Sequence, residues 1–186
     1  NGCLEFHLCQ HPKAEVGAKE PDASLGFYSK DEKITRVVIE LKDTKTSLDK
    51  KQSSRKENYT PVEQAFSYVY RFDRCDWAIV SNFREIRLYN KSRSLDYYEK
   101  FDMLSLDQED YFKLFYYLLC KENLINKEGK SPVDILVKDS FDKEYDITNK
   151  FYEDFKNLRI ELLKHLISNN PDVGKRILLE KTQKIL

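Results

Sequence analysis

Glycine is scarce in this chain: five in 186 residues, at Gly2, Gly17, Gly26, Gly129 and Gly174. Spread this thinly, they form neither a phosphate-cradling P-loop nor a dinucleotide fingerprint, so ATP and NAD chemistry have no foothold. The four cysteines, Cys3, Cys9, Cys75 and Cys120, contain no Cys-x-x-Cys pair, and no second ligand pair follows Cys3, Cys9 and His11 at zinc-finger spacing. Reduced thiols in or near a core are therefore expected. Excess charge is missing too, since 32 Lys and Arg offset 32 Asp and Glu. That balance excludes a globally basic nucleic-acid binder. It leaves room for a local basic patch, because binding follows where charges sit. No apolar run approaches the roughly 18 residues needed to span a bilayer, and nothing at the start reads as a secretory leader. A cytoplasmic location and no membrane partner are expected.

What is present argues for a folded protein. Hydrophobic residues make up 40% and aromatics 13%, enough to drive folding. A chain of this length suits one domain and can bury roughly 70% of its unfolded surface. The first residue is Asn1 and residues 176–186 are apolar-periodic, from which a piece of a longer protein is expected.

Residues 22–28 and the β-branched run 34–41 read as two strands joined by the polar turn 29–33. Residues 42–59 form a lysine-rich loop. Thr60-Pro-Val-Glu63 then carries an N-cap, a first-turn proline and a capping-box glutamate, predicting a helix with Val62, Ala65, Phe66 and Val69 on one face. Residues 76–81 and 85–89 read as strands around a tight Asn82-Phe-Arg connection. Residues 106–121 have helical periodicity, 127–132 read as a linker, and 133–137 as a short undetermined element. Thr148 is expected to cap a helix over 149–169, stopped by Asn-Asn-Pro-Asp. Trp77, Phe112, Phe115 and Tyr116 are assigned to the core.

Chemistry concentrates at Val37-Val-Ile-Glu-Leu-Lys42. Period-two alternation puts Glu40 and Lys42 on one face of a strand, opposite Ile39 and Leu41. If the strand opening at Pro21-Asp22 lies alongside, Asp22 brings a second carboxylate. Two carboxylates from neighbouring strands make a hard-oxygen pair suited to Mg²⁺, and Lys42 beside them can orient a water. Phosphodiester hydrolysis needs this set. The alternative is a solvent-facing Glu/Lys pair on an edge strand. Gln64 and Tyr68, four apart on a helix, share a face and can merely cover the sheet. Residues 42–57 hold six basic against three acidic side chains. Lys45, Lys50, Lys51 and Arg55 can therefore track a DNA backbone, or simply be solvated. Arg71, Arg74, Arg84 and Arg87 are further backbone-contact candidates.

Pro21-Asp22, followed eighteen positions later by Glu40-Leu-Lys42, resembles the signature of the PD-(D/E)XK nuclease superfamily. Gln64-Ala-Phe-Ser-Tyr68 is similar to the QxxxY motif of some of its branches. Cys75-Asp-Trp-Ala-Ile-Val-Ser-Asn-Phe-Arg-Glu-Ile-Arg-Leu-Tyr89 resembles the strand, turn and strand that follow that motif in restriction enzymes. The likeness covers residues 20–89, and residues 102–120 look like the helical end of type IIG nuclease modules.

The resemblance implies an α/β, restriction-endonuclease-like fold: a mixed central sheet flanked by helices, with a C-terminal helical extension. Residues 1–125 would be the nuclease core and 126–186 a linker and helical connector. It implies Asp22 and Glu40 as metal ligands, with the Leu41 carbonyl a further one. Lys42 would position the attacking water, Gln64 would support the site or touch DNA, and Tyr68 would pack or make contact beside it. Glu15 or Glu20 would be an additional acid. The expected activity is Mg²⁺-dependent cleavage of double-stranded DNA, with Mn²⁺ able to substitute, in a type IIG or type I-like restriction–modification defence enzyme. Methyltransferase and target-recognition domains would belong to the same full-length chain. The rival expectations are a catalytically silent module that binds DNA or a protein partner, and a purely architectural domain.

Overall fold

The computed structural model describes residues 6–13, 20–52 and 58–185. Six strands form one mixed sheet in the order β1-β2-β3-β4-β5-β6, comprising β1 (Phe6–Gln10), β2 (Ala23–Tyr28), β3 (Lys33–Leu41), β4 (Trp77–Ser81), β5 (Glu85–Asn90) and β6 (Tyr98–Asp102). Every neighbouring pair is antiparallel except β3 and β4. A parallel pair cannot be joined by a tight turn and needs a long crossover. Here the crossover contains helix α1 (Pro61–Val69), which packs on β3 and β4.

The expected start of α1 is present in full. The Thr60 hydroxyl accepts from the Glu63 amide at 3.1 Å, and the Glu63 carboxylate accepts from the Thr60 amide at 2.7 Å, so two otherwise orphaned donors are satisfied reciprocally. Val62, Ala65, Phe66 and Val69 press onto Val38, Ala78, Val80 and Tyr89 to form the main core. Cys75 is in this core as a free thiol, and burial pushes its pKa up to about 12.

Two strands were not foreseen. β1 forms despite the nearby His11-Pro12, because the chain turns only after it: His11 has φ 45° and its amide donates to the Asp22 carbonyl. β6 is an outer strand whose one buried residue is Phe101, so it lacks the two-sided apolar pattern of an internal strand. Helix α2 (Glu109–Leu119) lies beside it, with Phe101 and Phe115 edge to face at 5.3 Å. Trp77 and Phe115 pack as expected, but Phe112 is 47% and Tyr116 61% exposed. These two stack on each other along α2, whose one buried residue, Leu118, lies on a different face.

Beyond the one-turn helix α3 (Lys121–Leu124), the expected linker is present as a non-helical stretch up to Ser131, and the short element expected at 133–137 is the first part of a single long helix. This α4 runs from Pro132 to Asn169, so Thr148 is an interior residue and not a cap. The start is set instead by Ser131 and Asp134, whose side chains each accept the other's backbone amide, at 3.1 and 2.8 Å. Ser-Pro-Val-Asp is itself a capping box with proline at the first position. Compact grouping divides the chain into Asn1–Asp134 and Ile135–Leu186. The second unit holds most of α4 and the final helix α5 (Lys175–Ile185). Among the described residues no helix is long and apolar enough to cross a membrane.

Gly26 is required by a close approach. It adjoins the register shift between β2 and β3, and a Cβ there would run into the Ile34 carbonyl and the Tyr28 hydroxyl. Gly26→Ala is expected to lower the urea midpoint, with a loss of about 1–3 kcal/mol typical of overpacking. An unchanged midpoint would mean that the strand can shift without cost.

Candidate active site

β3 is the third of six strands, which removes the edge-strand alternative for Glu40 and Lys42. Glu40 is 1% exposed and the Lys42 side chain 10%. Lys42 Nζ donates to Glu40 Oε1 in a direct ion pair. Both side chains lie on the α1 side of the sheet with Val38, as the alternation predicts. The backbone amide of Lys42 donates to the Ser81 carbonyl at 2.8 Å, so the site sits where the parallel strands β3 and β4 end together.

The neighbouring strand brings the second acid. Ala23 lies opposite Ile39 in the β2–β3 register, which carries Asp22 to the position opposite Glu40. Asp22 Oδ2 accepts the Leu41 amide at 2.7 Å, fixing the carboxylate at the end of β3. Asp22, Glu40, Leu41 and Lys42 are thus assembled in one place.

Helix α1 closes the site from above. Gln64, 5% exposed, accepts at Oε1 from Lys42 Nζ at 3.3 Å and from Gln52 Nε2 at 3.5 Å. Its Nε2 donates to the Tyr68 hydroxyl at 3.0 Å. A hydrogen-bonded row therefore runs Glu40–Lys42–Gln64–Tyr68, with the last two members on one helix face at i and i+4. Tyr68 is 4% exposed, which leaves it packing beside Gln64 and not open to DNA. The Gln52 contact was not foreseen from sequence, because it depends on how the intervening loop folds back.

The remaining candidates are dispersed. Lys45, Lys50 and Lys51 are exposed on the loop after β3, and Glu20 is exposed ahead of Asp22. Glu15, Arg55 and Cys3 lie outside the described residues. Arg71 and Arg74 donate to the Ser67 and Lys127 carbonyls, and Arg84 is exposed. Arg87 is not available to a phosphate. It is 4% exposed, binds Asp49 through both terminal nitrogens at 2.6 and 2.9 Å and Glu85 at 2.8 Å, and lies over the Tyr98 ring.

That arginine anchors the loop. Leu48 beside Asp49 is buried, and Asn82 Nδ2 donates to the Thr46 carbonyl at 2.9 Å. The loop is thereby tied to β4 and β5 while its Gln52 reaches the site. The Arg87 hydrogen bond holds the Asp49 carboxyl below its ordinary range. Burial would raise Glu85, but its bonds to Arg87 and Lys100 outweigh that and bring it down. A cavity of about 320 Å³ opens nearby, lined in part by Asp49, Glu63 and Asp96. Neither Glu40 nor Lys42 lines it.

Compared with known proteins, the chain matches no family model, no curated protein and no solved structure. Among the described residues, no three His, Cys, Asp or Glu side chains form a cluster able to hold a metal ion. At the end of β3 the Asp22 carboxylate accepts the Leu41 amide, and the Glu40 carboxylate accepts from Lys42 Nζ.

Removing one member of a buried ion pair costs more than removing both. Lys42→Met is therefore expected to destabilise the fold by about 3 kcal/mol at neutral pH, and Glu40→Gln/Lys42→Met to recover most of that loss. Urea unfolding of both variants checks this, and a double variant no better than the single would show the charges to be uncoupled.

A pH prediction follows from the loop anchor. Both Asp49 and Glu85 are depressed below ordinary values of 3.8 and 4.5. Their stabilisation is complete above those values and is lost as pH falls through the lower folded-state values. Arg87→Met should flatten this acid-side loss in thermal melts taken across that range, and an unaltered slope would remove Arg87 as its origin.

Proposed function

We propose that this chain is a Mg²⁺-dependent DNA endonuclease domain of a restriction–modification enzyme. The observation that carries the reading is the buried Glu40–Lys42 pair at the end of an internal strand, with Asp22 fixed beside it by the Leu41 amide. A buried ion pair adds little net stability compared with well-packed apolar residues. Buried, specifically partnered charges are also what a catalytic site uses to tune its groups. The PD-(D/E)XK resemblance of residues 20–89 points the same way, and the mixed sheet with α1 across β3 and β4 suits a restriction-endonuclease-like fold.

The donor set fits the metal. Asp22 and Glu40 offer hard carboxylate oxygens, with the Leu41 carbonyl a further one, and Mg²⁺ usually keeps several waters as its remaining ligands. When bound, Mg²⁺ supplies Lewis-acid polarisation of the phosphate and a more acidic water. The chain's own residues do the rest. Lys42, held between Glu40 and Gln64, orients the attacking water and stabilises the negative charge that builds on the phosphoryl oxygens. Gln64 keeps the ammonium in place and is itself held by Tyr68. Hydrolysis adds the water across one P–O bond, leaving a phosphate monoester and a hydroxyl. Lys45, Lys50, Lys51 and Arg55 provide sequence-independent attraction for the backbone. Methyltransferase and target-recognition domains elsewhere in the full-length protein would choose the site.

One observation favours a second reading. The Lys42 ammonium already neutralises Glu40, as it would in a catalytically silent module that binds DNA or a protein partner. Supercoiled-plasmid nicking in Mg²⁺, then Mn²⁺, separates the two. The nuclease reading expects metal-dependent nicking, abolished in Asp22→Asn and Glu40→Gln. Lys42→Met should lower it by about 10²–10⁴-fold, the usual scale for loss of a group that assists proton transfer or charge development. DNA binding without nicking, and with no Mg²⁺ uptake by calorimetry, would overturn the nuclease reading in favour of the silent module.

A further inference from the structure

Outside glycine, positive φ occurs among the described residues at His11, Asn58 and Phe83. Phe83 is the anomalous one. A bulky aromatic at φ 63° is a backbone outlier that glycine or asparagine would adopt more readily. The ring gains nothing from the core in exchange, being 61% exposed. The turn is nevertheless firmly built. Ser81 Oγ accepts the Phe83 amide at 3.1 Å and donates to the Glu85 carbonyl at 3.0 Å. Asn82 Oδ1 accepts the Arg84 and Glu85 amides, each at 3.1 Å.

The position of this turn gives the ring its meaning. Ser81 pairs with Leu41 and takes the Lys42 amide, so the β4–β5 turn leaves the sheet at the end where Glu40 and Lys42 sit. Cations flank it: Arg84 is exposed next to Phe83, and Lys45 is exposed beside Thr46, whose carbonyl is bound by Asn82. An exposed, rigidly presented ring among cations is the make-up of a nucleic-acid stacking platform, where every base offers a π-face. Strain held in place by its surroundings also concentrates at functional sites.

We propose that Phe83 is a base-stacking contact that holds a DNA strand over the end of β3. The inference rests on the nuclease reading for the identity of the ligand, and adds to it a contact outside the metal and lysine set. The test measures binding of fluorescein-labelled DNA to the full chain in EDTA, alongside thermal melts. Phe83→Gly should weaken binding about tenfold, equivalent to about 1.4 kcal/mol. Its melting temperature should stay equal or rise, since glycine relieves the backbone. Phe83→Trp should retain affinity. A duplex carrying an unpaired 2-aminopurine in a single-stranded overhang, where its face is free to stack, should change emission on binding wild-type protein and lose that change with Phe83→Gly.

Wild-type affinity in Phe83→Gly would overturn this inference alone and leave the nuclease reading intact. A lowered melting temperature in Phe83→Gly would also overturn it, by making the ring a structural element. Failure of the wild-type chain to bind DNA would sink both.

Discussion

The arrangement around β3 depends on one buried ion pair. An ammonium and a carboxylate removed from water are costly unless their remaining hydrogen-bonding capacity is met. Here Lys42 also reaches Gln64, which in turn holds Tyr68 and is touched by Gln52. This requirement ties β3 to α1 more specifically than apolar packing alone would. It also explains why a glutamine and a tyrosine occupy buried positions on a helix whose other buried residues are Pro61, Val62, Ala65, Phe66 and Val69.

A second charge system lies on the same side of the sheet and does different work. Arg87, Asp49 and Glu85 form a bidentate, partly buried group, and Asn82 adds a backbone tie to the same loop. Their carboxylates are held ionised by the arginine. That suits a structural clasp and not a group that must exchange protons near neutrality. The clasp ties residues 46–49 of the segment after β3 to β4 and β5, and Lys45, Lys50 and Lys51 are exposed on either side of those ties. In the nuclease reading, one charge system performs chemistry and the other presents the backbone-tracking surface.

Legibility from sequence varied with the kind of signal. The capping box at Thr60 and Glu63 was read residue for residue, because its geometry is local and its spacing fixed. An equivalent local signal lies at Ser131-Pro-Val-Asp134, where α4 starts, and it outweighs Thr148, which has no such box and is interior. The exposed polar strand β6 could not be seen by alternation, since only Phe101 of its five residues is buried. Arg87 read as a candidate for contact with a DNA backbone, because nothing in its neighbours' sequence reveals a carboxylate arriving from a loop 38 positions away. For the candidate site, Glu40 and Lys42 on one face and Gln64 and Tyr68 on another followed from periodicity. Gln52 did not.

By itself the sequence determined the local features: the four strands β2 to β5, the start of α1, the shared face of Glu40 and Lys42, and the absence of glycine-rich nucleotide loops. These depend on side-chain period and short-range hydrogen bonds, which the order of residues specifies directly. Only the tertiary structure decided that β3 is internal, that Asp22 meets it in register, and that Gln64 lies within reach of Lys42. Those outcomes rest on which strands pair and on a crossover helix that must pack over the parallel strands it joins. Burial followed from that arrangement, turning an ordinary Glu-x-Lys into a desolvated ion pair and Arg87 into a clasp.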